Sequence, residues 1–83
     1  MTDKQKKCVF ETEKEIRENL GGKDFRVYAS IEIVRIQYTK DEKHYRMLSV
    51  IEHTKPERIR EQMLNLYEEL RKDIKRSEGR KSK

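Results

Sequence analysis

Hydrophobic residues change their spacing along the chain. From Phe25 to Tyr38 they alternate with polar residues, and a second mixed segment from His44 to His53 follows, as in β-strands. From Ile59 to Ile74 they recur every three or four residues, which is the spacing of an amphipathic helix. A shorter stretch with helical spacing lies between Glu11 and Leu20. The order predicts an α+β fold with a short helix, a two-stranded antiparallel hairpin and a long C-terminal amphipathic helix.

Capping signals set the predicted limits of the two helices. Thr12 and Glu15 have the spacing of a capping box, and Gly21 can take the left-handed conformation that ends a helix. Thr54 is the predicted N-cap of the long helix. Pro56 falls in its first turn, where a missing N–H costs nothing.

The polar ends of the chain bound a single predicted domain. Residues 1–8 are expected to be a flexible N-terminus, and the long helix is expected to end near Arg76. Residues 9–76 then form one α+β domain, and residues 77–83 form a basic disordered tail. An alternative places a short edge strand at residues 8–10, ahead of the first helix.

The alternation slips by one residue inside the long predicted strand. Ile31 and Ile33 keep one phase, whereas Val34 and Ile36 keep the other. Such a slip predicts a β-bulge, or a strand whose two halves are buried on opposite faces. The predicted core combines one strand phase with the helix stripes: Val9, Ile16, Leu20, Val27, Ile31, Ile33, Leu48, Val50, Ile59, Met63, Leu66, Leu70 and, at its margin, Tyr67.

The hairpin is expected to keep apolar side chains on both faces. With the turn centred on Asp41 and Glu42, Tyr38 faces Tyr45 across the strands. One long helix covers only one face of a two-stranded ribbon, and both ribbon edges stay unpaired. We therefore expect a homodimer, or a protein partner, to cover the remaining residues. The predicted interface consists of Val34, Ile36, Tyr38, Tyr45, Met47 and Ile51.

Composition favours a partner chain as a source of stability. The chain has 83 residues, of which 33% are hydrophobic and 45% are charged, so its core is small. Cys8 is the single cysteine, which excludes an intrachain disulfide, and no Cys/His spacing indicates zinc. No apolar run is long enough to span a membrane, and a lone cysteine without a secretion signal is typical of the cytoplasm.

The net charge of +5 is concentrated at the C-terminal end. Residues 1–70 hold 14 basic and 14 acidic residues, whereas residues 71–83 hold seven basic and two acidic residues. Such a segment attracts polyanions, and arginines interleaved with tyrosines on the strands favour nucleic acid as the partner. The predicted nucleic-acid-binding residues are Arg26, Arg35, Arg46, Arg71, Lys72, Lys75, Arg76, Arg80 and Lys81.

Catalytic constellations are missing from the sequence. Gly21 and Gly22 have no partner glycines or lysine at phosphate-loop spacing, and no base can be assigned to Cys8. Glu32 and Glu52 are two carboxylates without a third ligand. We expect a protein that is not an enzyme and that uses neither a cofactor nor a metal.

A second functional hypothesis is a protein-interaction module. A small regulator or inhibitor could dock on a larger protein through the hairpin or the apolar helix face. Removing residues 75–83 separates the two hypotheses, because it weakens nucleic-acid binding and spares docking through the hairpin. Substituting Val34→Asp or Ile51→Asp has the opposite expected effect.

Overall fold

The computed structural model describes residues 1–81, with side chains through Glu78, and contains two helices and one three-stranded antiparallel sheet. The predicted α+β class is confirmed, whereas the predicted two-stranded hairpin is wrong because the sheet has a third strand. The strands lie in the order β1-β2-β3. The elements are α1 (Asp3–Asn19), β1 (Phe25–Ala29), β2 (Ile33–Tyr38), β3 (Tyr45–Ser49) and α2 (Pro56–Lys81).

The phase slip in the long predicted strand marks a turn between two strands. The Ser30 N–H donates to the Ile33 carbonyl at 2.8 Å and closes this turn, which brings Ala29 opposite Val34. Each strand then keeps its own alternation, so the predicted bulge is absent from the described residues. The segment between the two strands contains neither glycine nor proline, which is why the pattern alone favoured one continuous strand.

The register between β2 and β3 differs by one residue from the predicted one. Gln37, rather than Tyr38, lies opposite Tyr45. The Gln37 side-chain amide donates to the carbonyls of Tyr38, at 3.0 Å, and His44, at 3.2 Å, and so stabilises the connecting turn. A one-residue shift exchanges the two faces of a strand, and it moves Val34 and Ile36 to the covered face.

Both helices pack on the same face of the sheet, the inner face. Val34 and Ile36 are fully buried there, whereas Leu20, Ile31 and Ile33, which were predicted to be core residues, are exposed. Leu48 and Leu66 are only partly buried. The core consists of Val9, Ile16, Phe25, Val27, Val34, Ile36, Val50, Ile59, Met63, Tyr67, Leu70 and Ile74.

Helix α1 begins at Asp3, eight residues before the predicted start. Its capping box joins Thr2 and Gln5: the Thr2 hydroxyl accepts from the Gln5 backbone N–H at 3.2 Å, and the side-chain Oε1 of Gln5 accepts from the Thr2 N–H at 2.9 Å. Thr12, the predicted cap, is buried inside the helix and donates to the Cys8 carbonyl. Most of the segment predicted to be flexible, and all of the alternative edge strand, therefore lies in α1.

The glycine pair ends α1 as predicted. Gly21 has φ +71°, and the Gly22 N–H donates to the Ile16 carbonyl at 2.9 Å. A Cβ on Gly22 would lie 2.4 Å from Cγ2 of Ile16, so only glycine fits without displacing its neighbours.

Helix α2 begins at Pro56 and continues to Lys81, past the predicted end near Arg76. The Thr54 hydroxyl accepts from the Ile51 N–H at 3.2 Å and does not cap the helix, so the first helical bonds run to the Lys55 carbonyl. A helix of 26 residues is about 39 Å long, roughly twice the length of a strand here. The last two residues of the predicted disordered tail, 82 and 83, lie outside the described residues.

Candidate functional site: the outer face of the sheet

The outer face of the sheet points away from both helices and is uncovered. The pairings of β1 with β2 and of β2 with β3 fix which side chains share it, because every second residue of each strand points there. It carries two arginines, two tyrosines and no carboxylate, in a chain with 16 acidic residues. Its members are Arg26, Tyr28, Ile33, Arg35, Gln37, Tyr45, Met47 and Ser49.

The same face continues beyond the strands to two further isoleucines. The Val50 N–H donates to the Glu32 carbonyl, so the register persists for one more pair and brings Ile31 beside Ile51. Of the eight large apolar side chains exposed among the described residues, six lie on this surface. Most of the exposed large apolar side chains are therefore gathered on one face of the sheet.

One end of the outer face, the basic end, combines arginine with aromatic rings. The Arg35 guanidinium lies 4.4 Å from the centroid of the Tyr45 ring, which is cation–π geometry. Arg26 is exposed beside Gln37 in the next row. Among the described residues neither arginine has a carboxylate within ion-pair distance. Both positive charges therefore remain available to an anionic ligand.

The other end of the outer face, the apolar end, consists of isoleucines. Ile31, Ile33 and Ile51 are 79%, 43% and 65% exposed. Met1 packs next to this end, and its terminal amine donates to the Ile31 carbonyl. Ile31 and Ile33 were predicted to be core residues, because the sequence pattern does not reveal the turn that reverses the chain between β1 and β2.

Arg46, a predicted nucleic-acid contact, lies on the inner side of β3. Its guanidinium forms an ion pair with Asp73 of α2, so its charge is compensated within the protein. The cause is the one-residue register shift, which places Ile36 and Arg46 opposite each other on the covered face. Arg46 is therefore not part of the outer face.

Arg71, another predicted contact, is engaged with the end of α1. It donates to the Leu20 carbonyl at 3.3 Å and lies 5.5 Å from the Tyr67 ring centroid. The Tyr67 hydroxyl donates to the same carbonyl at 2.8 Å. Burial raises the pKa of the Tyr67 phenol above its ordinary value, although the Arg71 guanidinium beside it lowers that pKa in part.

The remaining predicted basic contacts lie on α2. Lys72, Lys75 and Arg76 are exposed, and none of them pairs with a carboxylate among the described residues. A groove of about 710 Å³ separates this part of α2 from Phe25 and Tyr38, the sheet pair next to Arg26. The cations of α2 thus lie near the same end of the sheet as Arg26, but in the layer formed by the helices. The side chains of Arg80 and Lys81 lie outside the described part.

The predicted partner interface is divided between the two faces. Val34 and Ile36 are core residues, and Tyr38 is half-buried with its ring 5.2 Å from that of Phe25. The other three, Tyr45, Met47 and Ile51, are exposed on the outer surface. Because Val34 is fully buried, a charge placed there tests folding and not docking.

Potential catalytic groups are dispersed. No three His, Cys, Asp or Glu side chains among the described residues are grouped to hold a metal ion. The Cys8 thiol is half-buried and lies 3.1 Å from the Pro56 carbonyl, where it packs α1 against the start of α2. Neither of the two helices, as far as they are described, is long and apolar enough to cross a bilayer.

The chain matches no protein-family model, no curated protein and no solved structure at a significant level.

Proposed function

We propose that the protein is a non-catalytic, single-stranded nucleic-acid-binding protein whose contact surface is the basic end of the outer face. The observation that carries this proposal is the composition of that face: two arginines and two tyrosines, with no carboxylate among the outward side chains of the three strands. Sheet surfaces of this kind accept unstacked bases on aromatic rings and on guanidinium planes.

The spacing of the two exposed tyrosines suits an extended single strand of nucleic acid. Tyr28 lies on β1 and Tyr45 on β3, so β2 separates them by about 10 Å across the sheet. Arg35 lies between them and is already stacked on Tyr45. Arg26 then supplies a phosphate contact at the rim, and the cations of α2 add a positive field at the same end.

Binding is tested by fluorescence anisotropy with labelled single-stranded and double-stranded DNA and RNA at two salt concentrations. We expect the single strands to bind more tightly than the duplexes and their affinity to fall with salt, since phosphate contacts release counterions. The Tyr28→Ala variant should bind about 5- to 150-fold more weakly, whereas Tyr28→Phe should retain affinity because it keeps the ring.

Phe10 offers a matched control. It is an aromatic side chain exposed on α1, away from the sheet, so the Phe10→Ala variant should bind like the wild type. Equal losses for Phe10→Ala and Tyr28→Ala would show that the outer face is not the contact surface. Absence of binding to all four nucleic acids at low salt would eliminate the proposal.

A chain truncated after Ile74 measures the contribution of the C-terminal segment. We expect weaker binding with a smaller salt dependence and an unchanged preference for single strands. The slope of log affinity against log salt should fall by about 0.7 for every phosphate of a single strand that the shortened chain no longer neutralises. If truncation changed the preference for single-stranded over double-stranded nucleic acid, the C-terminal part of α2 would be responsible for that preference.

The apolar end favours a second candidate function, docking of a protein partner. Three exposed isoleucines have no role in holding a phosphate backbone, and apolar side chains dominate the buried centres of protein interfaces. Here the test is affinity purification with the wild type, the Ile51→Asp variant and the chain truncated after Ile74. A partner that is absent only with Ile51→Asp would support docking at this end.

A further inference from the structure

The two edges of the sheet differ in their access to another strand. At the β1 edge, the Glu13 carboxylate accepts from the Val27 N–H at 2.8 Å, so a side chain of α1 occupies a backbone donor. At the β3 edge, the outward backbone groups belong to Tyr45, Met47 and Ser49, because His44 and Val50 bond towards β2. Among the described residues only the Tyr45 carbonyl accepts a further bond there, from Arg46. The β3 edge is therefore the open edge.

A groove beside the open edge contains no charged residue. It has a volume of about 310 Å³ and lies between β3 and α2. In a chain in which 45% of the residues are charged, six uncharged neighbours are unusual, and depletion of charge is characteristic of interface centres. The groove is lined by Met47, Leu48, Ser49, Gln62, Asn65 and Leu66.

We propose that the open edge pairs with the β3 strand of a second copy of this chain, antiparallel, about a two-fold axis at Met47. A chain with one open edge and one occupied edge forms a closed dimer, whereas two open edges would allow an open-ended fibre. The joined sheet has six strands, and the two outer faces become one continuous surface.

The extent of pairing and the charge select this register from its two neighbours, because an axis at Leu48 pairs only residues 47–49 of β3 with each other. Only every second residue of β3 points its backbone N–H and C=O groups to the open edge. Successive allowed registers therefore shift the partner strand by two residues. The axis at Met47 pairs all five residues and places Arg46 opposite the partner's Leu48. The next register, centred on Arg46, opposes it to the partner's Arg46, and like charges directly opposite destabilise a sheet.

Molecular mass in solution, measured by light scattering at micromolar and higher concentrations, tests the dimer. The wild type is expected to give twice the 10.1 kDa chain mass. Met47→Lys and Met47→Glu should each give the monomer mass, since each places like charges at the axis, and an equal mixture of the two should regain the dimer mass. A wild-type mass of one chain throughout, or dimers of both single variants, would overturn the proposal.

Disulfide cross-linking tests the position of the axis, in a Cys8→Ser background so that each chain carries one thiol. The Cα atoms of a hydrogen-bonded antiparallel pair are about 5.5 Å apart, within the range of a disulfide. Met47→Cys should therefore cross-link on mild oxidation. Ser49→Cys should not, since it lies opposite the partner's Tyr45 and roughly 13 Å from its own counterpart. Cross-linking through Ser49→Cys alone would exclude the register.

Nucleic-acid binding is assayed separately on the wild-type chain with the Tyr28→Ala and Phe10→Ala variants, because a charge at Met47 would lie opposite Arg35 on the proposed contact surface. Nucleic-acid binding by a wild type whose mass is that of one chain would overturn the dimer and leave the proposed function in place.

Discussion

The inner and outer faces of the sheet contain similar apolar residues, but these residues are buried on the inner face and exposed on the outer face. Ile36 and Ile33 lie three residues apart on the same strand, yet Ile36 is fully buried and Ile33 is 43% exposed. The difference arises because the apolar stripes of α1 and α2 both cover the inner face. Alternation thus separates two faces of a strand, but only the helices determine which of them becomes core.

A charge introduced by mutation should give the largest difference in the free energy of unfolding between the inner and the outer face. Val34→Asp places an unpaired carboxylate in the inner face and is expected to lower the free energy of unfolding by more than about 3 kcal/mol. Ile33→Asp, its neighbour on the outer face, should change it by less than about 0.5 kcal/mol. Urea unfolding followed by circular dichroism measures both. Similar losses for the two variants would mean that the outer face is also covered in solution.

The glycine pair after α1 gives the next largest contrast. Gly22→Ala forces a Cβ against Ile16, and we expect a loss of about 1–3 kcal/mol. Gly21→Ala meets no atom within 4 Å, so it bears only the strain of its positive φ, about 1 kcal/mol. Thermal unfolding of the two single variants shows which loses more stability. A larger loss for Gly21→Ala would contradict the close contact between Gly22 and Ile16.

Two glutamines allow a matched comparison of polar contacts on the two sides of the sheet. Gln5, almost fully buried, donates to the Ile51 carbonyl at 3.0 Å and the Thr54 carbonyl at 2.9 Å. The Gln5→Ala variant removes the amide donor from the Thr54 carbonyl and leaves the Ile51 carbonyl with the Thr54 N–H alone, at a cost of about 1–3 kcal/mol. Gln37→Ala should cost less, because water replaces the missing amide at the outer turn. Equal losses of stability for the two variants would indicate that water has no better access to the turn than to the interior.

The smallest expected effect is that of alkaline pH on Tyr67, in the middle of α2. Because burial raises the pKa of Tyr67, ionising it costs more in the folded state than in the unfolded state. This contribution to stability is complete below pH about 10, the ordinary tyrosine value, and is lost as pH rises through the folded pKa. Tyr67→Phe should therefore lose about 1 kcal/mol at neutral pH, and the gap to the wild type should narrow above pH 10.

The long helix was predictable because its signal is local. Ile59, Met63 and Leu70 recur at helical spacing and are all fully buried. The sheet was harder, since its register depends on a turn held by the Gln37 amide, whose contacts no spacing reveals. The start of α1 was missed because its first turns are polar and its capping box uses glutamine in place of glutamate.

The candidate site was predictable only in part, for the same reason. Arg26 and Arg35 were identified from the alternation and do share one face, whereas Tyr45, which lies on the same face, was predicted to belong to the partner interface with Tyr38. Arg46 and Val34 were assigned to the wrong face because a one-residue error in register inverts every side chain of a strand. The exposed isoleucines at the apolar end could be recognised only after the chain reversal between β1 and β2 was known.

The bonds made by Gln5 also determine when the molecule can fold during synthesis. Its acceptors lie 46 to 49 residues later in the chain, so the start of α1 gains its buried partners only after the β3–α2 connection has left the ribosome. The fully buried residues of α2 follow later still. An emerging chain therefore displays the apolar side of its first helix until the residues of α2 that cover it have been made.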